Sequence, residues 1–233
     1  MCSSLTDRMG SSRFAIIIVL VLALGVGSYF ALNAGEDAEA PSASIDLPEG
    51  CADVEAPEPE PVNLARPTER VPRGEELQAA METSCGDFVI DLATEDSPTT
   101  VTSFAYLADQ GVYDETIFHR IVPGFVVQGG DPLGDGTGGP GYFVDEPPPQ
   151  NTVYRRGVVA MAKAATDPPG RSESQFFIVV APADAGLPPD YAVLGEVSEG
   201  IETVERIAEL GDPASGEIGT PLAPVVLESV TVG

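Results

Sequence analysis

The chain has no tryptophan, one histidine and three cysteines in 233 residues. A Cys/His zinc site and a disulfide-dense miniature scaffold are thereby excluded, and any metal is left to oxygen ligands. Basic residues are also scarce: 11 Lys and Arg stand against 37 Asp and Glu, a net charge of −26. Such a surface repels phosphate backbones and anionic headgroups, which argues against nucleic acid as a partner. With no second histidine near Ser172 or Ser174, Ser-His-Asp hydrolysis finds no support. The glycine loop Gly134–Gly141 lacks the Gly-Lys-Ser/Thr ending of a phosphate cradle. Asp131 and Asp135 begin a calcium-like loop, but Tyr142 occupies the place of its closing glutamate.

What is present is unevenly distributed. Residues 14–32 carry no charge and would span roughly 28 Å as a helix, close to a hydrocarbon core of about 30 Å. Arg8 and Arg13 precede this run, and Glu36, Asp37 and Glu39 follow it. The positive-inside rule then predicts a cytoplasmic tail over 1–13, a transmembrane anchor over 14–32 and the remainder outside the cytoplasm. A cleaved signal peptide and a secreted product form the alternative. Residues 33–75 follow as a Pro/Glu-rich linker, with Glu55-Ala-Pro-Glu-Pro-Glu-Pro61 at its centre. Too polar to bury a core, this tract is expected to be a disordered, extended spacer. Cys51 and Cys85 are the two cysteines beyond the apolar run, on an oxidising side, so a disulfide between them is expected.

Globular texture begins at residue 76. Leu77–Ser84 and Asp87–Leu92 read as a hairpin, with Phe88, Ile90 and Leu92 on one face. Ser97-Pro98 predicts the start of a helix ending at Gly111, and Ser198 caps a second one that carries Ile201, Val204, Ile207 and Leu210. Short β runs are expected at 117–121, 125–128, 157–161, 175–180, 191–197 and 224–232. Many strands with two helices suggest a mainly β fold, a closed antiparallel barrel with a helix at each end.

The densest segment runs Phe118-His-Arg-Ile-Val-Pro-Gly-Phe-Val-Val-Gln-Gly-Gly-Asp131. Only six basic residues follow position 74, so Arg120 among aromatic and aliphatic neighbours requires a reason. Arg120 and Gln128 flank Phe125 on a strand–turn–strand, and Phe177 in Ser174-Gln-Phe-Phe-Ile178 offers a second wall. His119 alternates away from Arg120 on a strand and reads as structural.

These residues, with Gly134-Asp-Gly-Thr-Gly-Gly-Pro-Gly-Tyr142, Gly157–Ala162 and Tyr191–Ile207 in order, resemble the cyclophilin-type peptidyl-prolyl cis/trans isomerases over about residues 76–233. The membrane topology read above suggests a bacterial, membrane-anchored protein, and the resemblance implies an eight-stranded closed barrel capped by two helices. It implies isomerisation of X–Pro bonds in exported or unfolded chains, without cofactor or metal. Carried over by residue, the catalytic positions are Arg120, Phe125 and Gln128. The substrate-binding positions are Val126, Gly136, Ala162, Gln175, Phe177, Leu187 and Tyr191. Val126, Lys163, Gly186 and Tyr191 replace the methionine, asparagine, tryptophan and histidine of the best-known members. Because the family tryptophan contributes to cyclosporin binding, Gly186 implies weak affinity for that macrocycle. A non-catalytic proline-binding module using the same groove is the alternative.

Overall fold

The computed structural model describes residues 45–233. The predicted anchor over 14–32 and the tail before it lie outside the described residues. Among the described residues, no helix is long and apolar enough to cross a membrane.

Among the described residues, eleven strands and two α-helices form in the order β1 (Gln78–Thr83), β2 (Phe88–Leu92), α1 (Pro98–Asp109), β3 (Thr116–Ile117), β4 (Arg120–Val122), β5 (Val126–Gly129), β6 (Val144–Asp145), β7 (Val158–Met161), β8 (Arg171–Ser172), β9 (Phe176–Val179), β10 (Val193–Glu199), α2 (Ile201–Ala208) and β11 (Val226–Val232). Nine of the strands make one curled antiparallel sheet, ordered β3-β11-β1-β2-β10-β7-β9-β5-β4, while β6 and β8 pair separately. The expectation of an eight-stranded closed barrel is therefore corrected. The run expected at 117–121 breaks at Phe118-His119 into β3 and β4, which end on opposite edges of the sheet. Ile117 of β3 makes an isolated antiparallel bridge to Asp131, just beyond β5, and Ile121 N donates to Gly219 O at 2.7 Å, so the 213–219 segment covers the outer edge of β4.

Side-chain alternation divides the apolar residues between two faces. Val127, Val159, Met161, Phe176 and Ile178 point inward to the main core, with Phe88, Phe104, Tyr113 and Phe118. Phe104, Tyr113 and Phe176 meet there with ring centroids 4.8 to 6.2 Å apart. The intervening Val126, Val158, Ala160, Phe177 and Val179 point outward and make a second cluster with Tyr154. Strands β7 and β9 are thus buried on both faces, as their unbroken apolar sequences require.

Helix α1 starts at Ser97-Pro98 as expected, whereas the start of α2 differs. Ser97 occupies the N-cap of α1 but makes no side-chain cap bond. Its place is taken by Glu146, whose carboxylate accepts from Thr99 N at 3.1 Å and Thr100 N at 2.6 Å. A negative charge at this end is favoured by the helix dipole. Ser198 belongs to β10, and the N-cap of α2 is Gly200 at φ 74°. Only glycine fits, since a Cβ there would lie 2.8 Å from Phe88 Cα.

The expected free spacer is also corrected over 45–75. This tract lies along the domain, and Leu47, Cys51, Val62, Leu64 and Val71 pack on the main core. Cys51 and Cys85 are joined Sγ to Sγ at 2.03 Å. The strap's backbone donates from Ala52 to Ser84 O, Glu60 to Pro132 O and Leu64 to Pro140 O, at 2.7 to 3.0 Å. Apolar residues spaced along a proline-rich extended chain need no helix or sheet of their own to find burial.

Candidate active site

Antiparallel pairing of β4 with β5 sets Arg120 opposite Gln128, and pairing of β5 with β9 sets Gln128 opposite Phe177. Three polar side chains then connect in one direction. Arg120 Nη1 donates to Gln128 Oε1 at 3.3 Å, Gln128 Nε2 to Gln175 Oε1 at 3.1 Å, and Gln175 Nε2 to Gly138 O at 2.9 Å. On its other side the guanidinium donates from Nε and Nη2 to Glu217 O, at 3.2 and 3.0 Å. Among the described residues, one N–H on each terminal nitrogen of Arg120 is left for another acceptor. Burial lowers the guanidinium pKa from its ordinary value, with Glu217 and Tyr191 opposing. A guanidinium begins so high that it stays charged.

Beside this row lies an apolar shelf. Val126 and Phe177, 2% and 5% exposed, form its floor. Phe125, Ala162, Leu187 and Tyr191 are partly exposed and pack against the same cluster. Phe125 is held at the turn between β4 and β5, where its carbonyl accepts from Val180 N and Ala181 N at 2.9 and 3.2 Å. The Tyr191 ring stands edge-on to Phe177, with centroids 5.3 Å apart. Next to the shelf, Gly136, Gln128, Ala162, Lys163 and Gln175 line a cavity of about 510 Å³. A cavity of about 640 Å³ elsewhere is lined by Glu75, Glu76, Asp91 and Glu95 and offers no aromatic wall.

All ten catalytic and substrate-binding positions singled out in the sequence thus fall on the relay, the shelf or the adjoining cavity. Two of the substituted positions behave differently from one another. Lys163 turns to its own loop, donating to Asp167 O at 3.0 Å, with Nζ 5.6 Å from the Tyr191 ring. Gly186 lies exposed at φ 69°, with nothing within 4 Å of where a Cβ would stand. Among the described residues His119 donates to no partner and accepts from none, and burial lowers its pKa. That fits a neutral ring serving as packing. Among the described residues no group of three or more His, Cys, Asp or Glu side chains is placed to hold a metal ion.

Two contributors escaped the sequence reading. Tyr154, fully buried, donates from Oη to Tyr191 O at 2.6 Å and accepts from Tyr191 N at 3.0 Å, fixing the wall that Tyr191 provides. Glu217 acts through its main-chain oxygen, which no side-chain pattern reveals.

The comparisons with known proteins agree with this geometry. The family model for cyclophilin type peptidyl-prolyl cis-trans isomerases matches residues 78–232. The Mycobacterium tuberculosis probable peptidyl-prolyl cis-trans isomerase B is 40% identical over 187 residues, which cover 73% of this chain and 59% of that protein. The chain therefore spans somewhat less than two thirds of the mycobacterial relative's length. The Streptomyces anulatus peptidyl-prolyl cis-trans isomerase B is 40% identical over 176 residues, covering 68% of this chain and 97% of the relative. A Cryptosporidium parvum cyclophilin type peptidyl-prolyl cis-trans isomerase, solved in the presence of the dipeptide Ala-Pro, superposes with a TM-score of 0.59 at 30% identity, covering 67% of this chain and 98% of that one. Sequence, sheet order and the Arg120 relay converge on one assignment: the chain belongs to the cyclophilin-type peptidyl-prolyl cis-trans isomerase family.

Proposed function

We propose that this protein accelerates cis/trans rotation of X–Pro bonds in polypeptide substrates through Arg120. The observation that carries the reading is the placement of Arg120, held from both sides with free N–H groups at the edge of an apolar shelf. Rotation breaks amide resonance across a barrier of about 20 kcal/mol and needs no nucleophile or proton transfer to carbon. The shelf of Phe125, Val126, Phe177 and Leu187 receives the pyrrolidine ring and strips water from the amide. Planar amides owe part of their stability to charge separation, so desolvation favours the twisted state. As the prolyl nitrogen pyramidalises, it becomes an acceptor, and a free Arg120 N–H meets it. The interaction is thus stronger in the transition state than in the ground state, which is what accelerates the step. Gln128 and Gln175 keep the guanidinium aimed.

The natural substrates are proposed to be exported or unfolded proteins, met outside the cytoplasm by a domain anchored through residues 14–32. The charge asymmetry around that run supports this orientation. The test is the cis-to-trans rate of a short X–Pro peptide with the purified chain and its Arg120→Ala variant. Acceleration abolished by the substitution supports the reading. No acceleration by a folded chain that still binds the peptide would make it a proline-binding module.

A further inference from the structure

We propose that the strap preceding the family domain is part of the catalytic apparatus: residues 58–66 hold the glycine loop from outside, and through that loop they position Arg120. The inference rests on the isomerase reading above and assigns work to a segment that lies before the family match at residues 78–232.

The loop between Asp131 and Tyr142 is rich in glycine and without a helix or strand, and its own bonds are short-range ones in its first half, such as Gly134 N to Asp131 O at 3.1 Å and Thr137 N to Asp135 Oδ1 at 2.9 Å. From inside, Asp131 restrains its first half: the carboxylate, 1% exposed, accepts from Leu133 N at 2.8 Å and Gly136 N at 2.5 Å. From outside, the strap grips both ends. Glu60 N donates to Pro132 O at 3.0 Å and Leu64 N to Pro140 O at 2.8 Å. Prolines cannot donate, so a carbonyl is all that either residue has to offer. Leu64 and Val62 anchor this stretch of strap in the main core. Farther on, Arg66 stacks over Phe143, 5.1 Å from its centroid, and Arg171 covers the same ring at 3.8 Å.

Gly138, between the two clamped ends, supplies the carbonyl on which the relay terminates. If Gly138 shifts, Gln175 loses its acceptor and is free to turn, Gln128 follows, and the guanidinium keeps only Glu217 as a guide. A short chain of hydrogen bonds with defined donors and acceptors thus links strap to catalytic arginine. Couplings carried by such networks change rates by roughly twofold to thirtyfold.

The experiment is a double-mutant cycle on the full chain. Leu64→Asp expels the strap from the core, and hydrogen exchange across 58–66 verifies its release. Gln175→Ala cuts the relay beyond the strap. Leu64→Asp is expected to lower kcat by roughly twofold to thirtyfold at a nearly constant KM, and to add nothing in the Gln175→Ala background. An unchanged kcat with the strap released, or an undiminished strap effect without Gln175, overturns the proposal. Glu60→Pro, which deletes one N–H between Pro59 and Pro61, carries the same test should Leu64→Asp not fold. A side-chain amide exchange measurement on Gln128 and Gln175 separates this inference from its parent. Faster exchange on strap release supports it even if the wild-type chain shows no isomerase activity, and identical exchange refutes it.

Discussion

Gln128 donates to Gln175 at 3.1 Å while accepting from Arg120, so the orientation of each amide is dictated by its neighbour. Two carboxamides in series, Gln175 and Gln128, therefore translate the backbone position of Gly138 into the direction of a guanidinium. Gln128→Leu preserves bulk and removes both functions. It is expected to lower kcat/KM roughly tenfold, equivalent to about 1.4 kcal/mol, without lowering the melting temperature, because the side chain is half-exposed. A peptide isomerisation assay beside a thermal melt checks this; unaltered kcat/KM would leave the relay without a role.

Arg120→Ala removes the group that meets the pyramidalising nitrogen. Losing a preorganised donor costs about 10²- to 10³-fold in rate, and that drop is expected in kcat/KM. Arg120→Lys is expected to recover little, since an ammonium cannot hold Glu217 O and Gln128 Oε1 together and still offer an aimed N–H. A lysine variant with near wild-type turnover would show that charge alone suffices.

Much of the site was legible because its chemistry sits in one contiguous segment. From Arg120 to Gln128 the alternation of β4 and β5 places the two polar side chains opposite each other, and Ser174–Ile178 supplies the other wall. The rest was hidden for identifiable reasons. Tyr154 lies in a loop with no periodicity, and its partner is the backbone of Tyr191. The seam between β3 and β4 depends on where Phe118 turns inward, which a run of β-formers does not disclose. The strap looked like a spacer because acids and prolines dominate its composition, yet a few residues such as Val62 and Leu64 are enough to seat it.

Cyclosporin affinity should be weak. Gly186 leaves open space where an aromatic side chain would supply contact area, and its positive φ disfavours any larger residue. Calorimetric titration with the macrocycle is expected to show binding weaker than micromolar while peptide turnover persists; a submicromolar dissociation constant would refute the role given to Gly186.

The Cys51–Cys85 link closes a loop with a sequence separation of 34. Chain-entropy arguments put its worth at about 3–4 kcal/mol, or on the order of 10 °C in melting temperature for a domain of this size. Cys51→Ser is expected to melt lower by that order, and reductant should bring the wild-type chain to the same value. Equal melting with and without reductant would show that the strap's packing holds it unaided.

Alkaline pH offers a way to isolate Tyr154. Burial raises its phenol pKa from 10.0 to about 12, against an opposing hydrogen bond from the Tyr191 backbone. A proton held more tightly in the folded state than in the unfolded one stabilises the fold fully below the unfolded pKa. That contribution then declines between about pH 10 and pH 12, as the unfolded chain ionises first. Tyr113 is raised as well, chiefly by burial, so the wild-type curve contains more than one such phenol. The difference between wild type and Tyr154→Phe contains the Tyr154 share alone. Below pH 10 the variant should be less stable by about 1–3 kcal/mol, because Tyr191 N and O lose their buried partner. Above pH 10 its stability should fall less steeply than that of the wild type, and the two curves should converge. Denaturant midpoints measured from pH 8 to pH 12 decide the matter: parallel curves would mean that Tyr154 ionises as freely in the folded protein as in the unfolded chain.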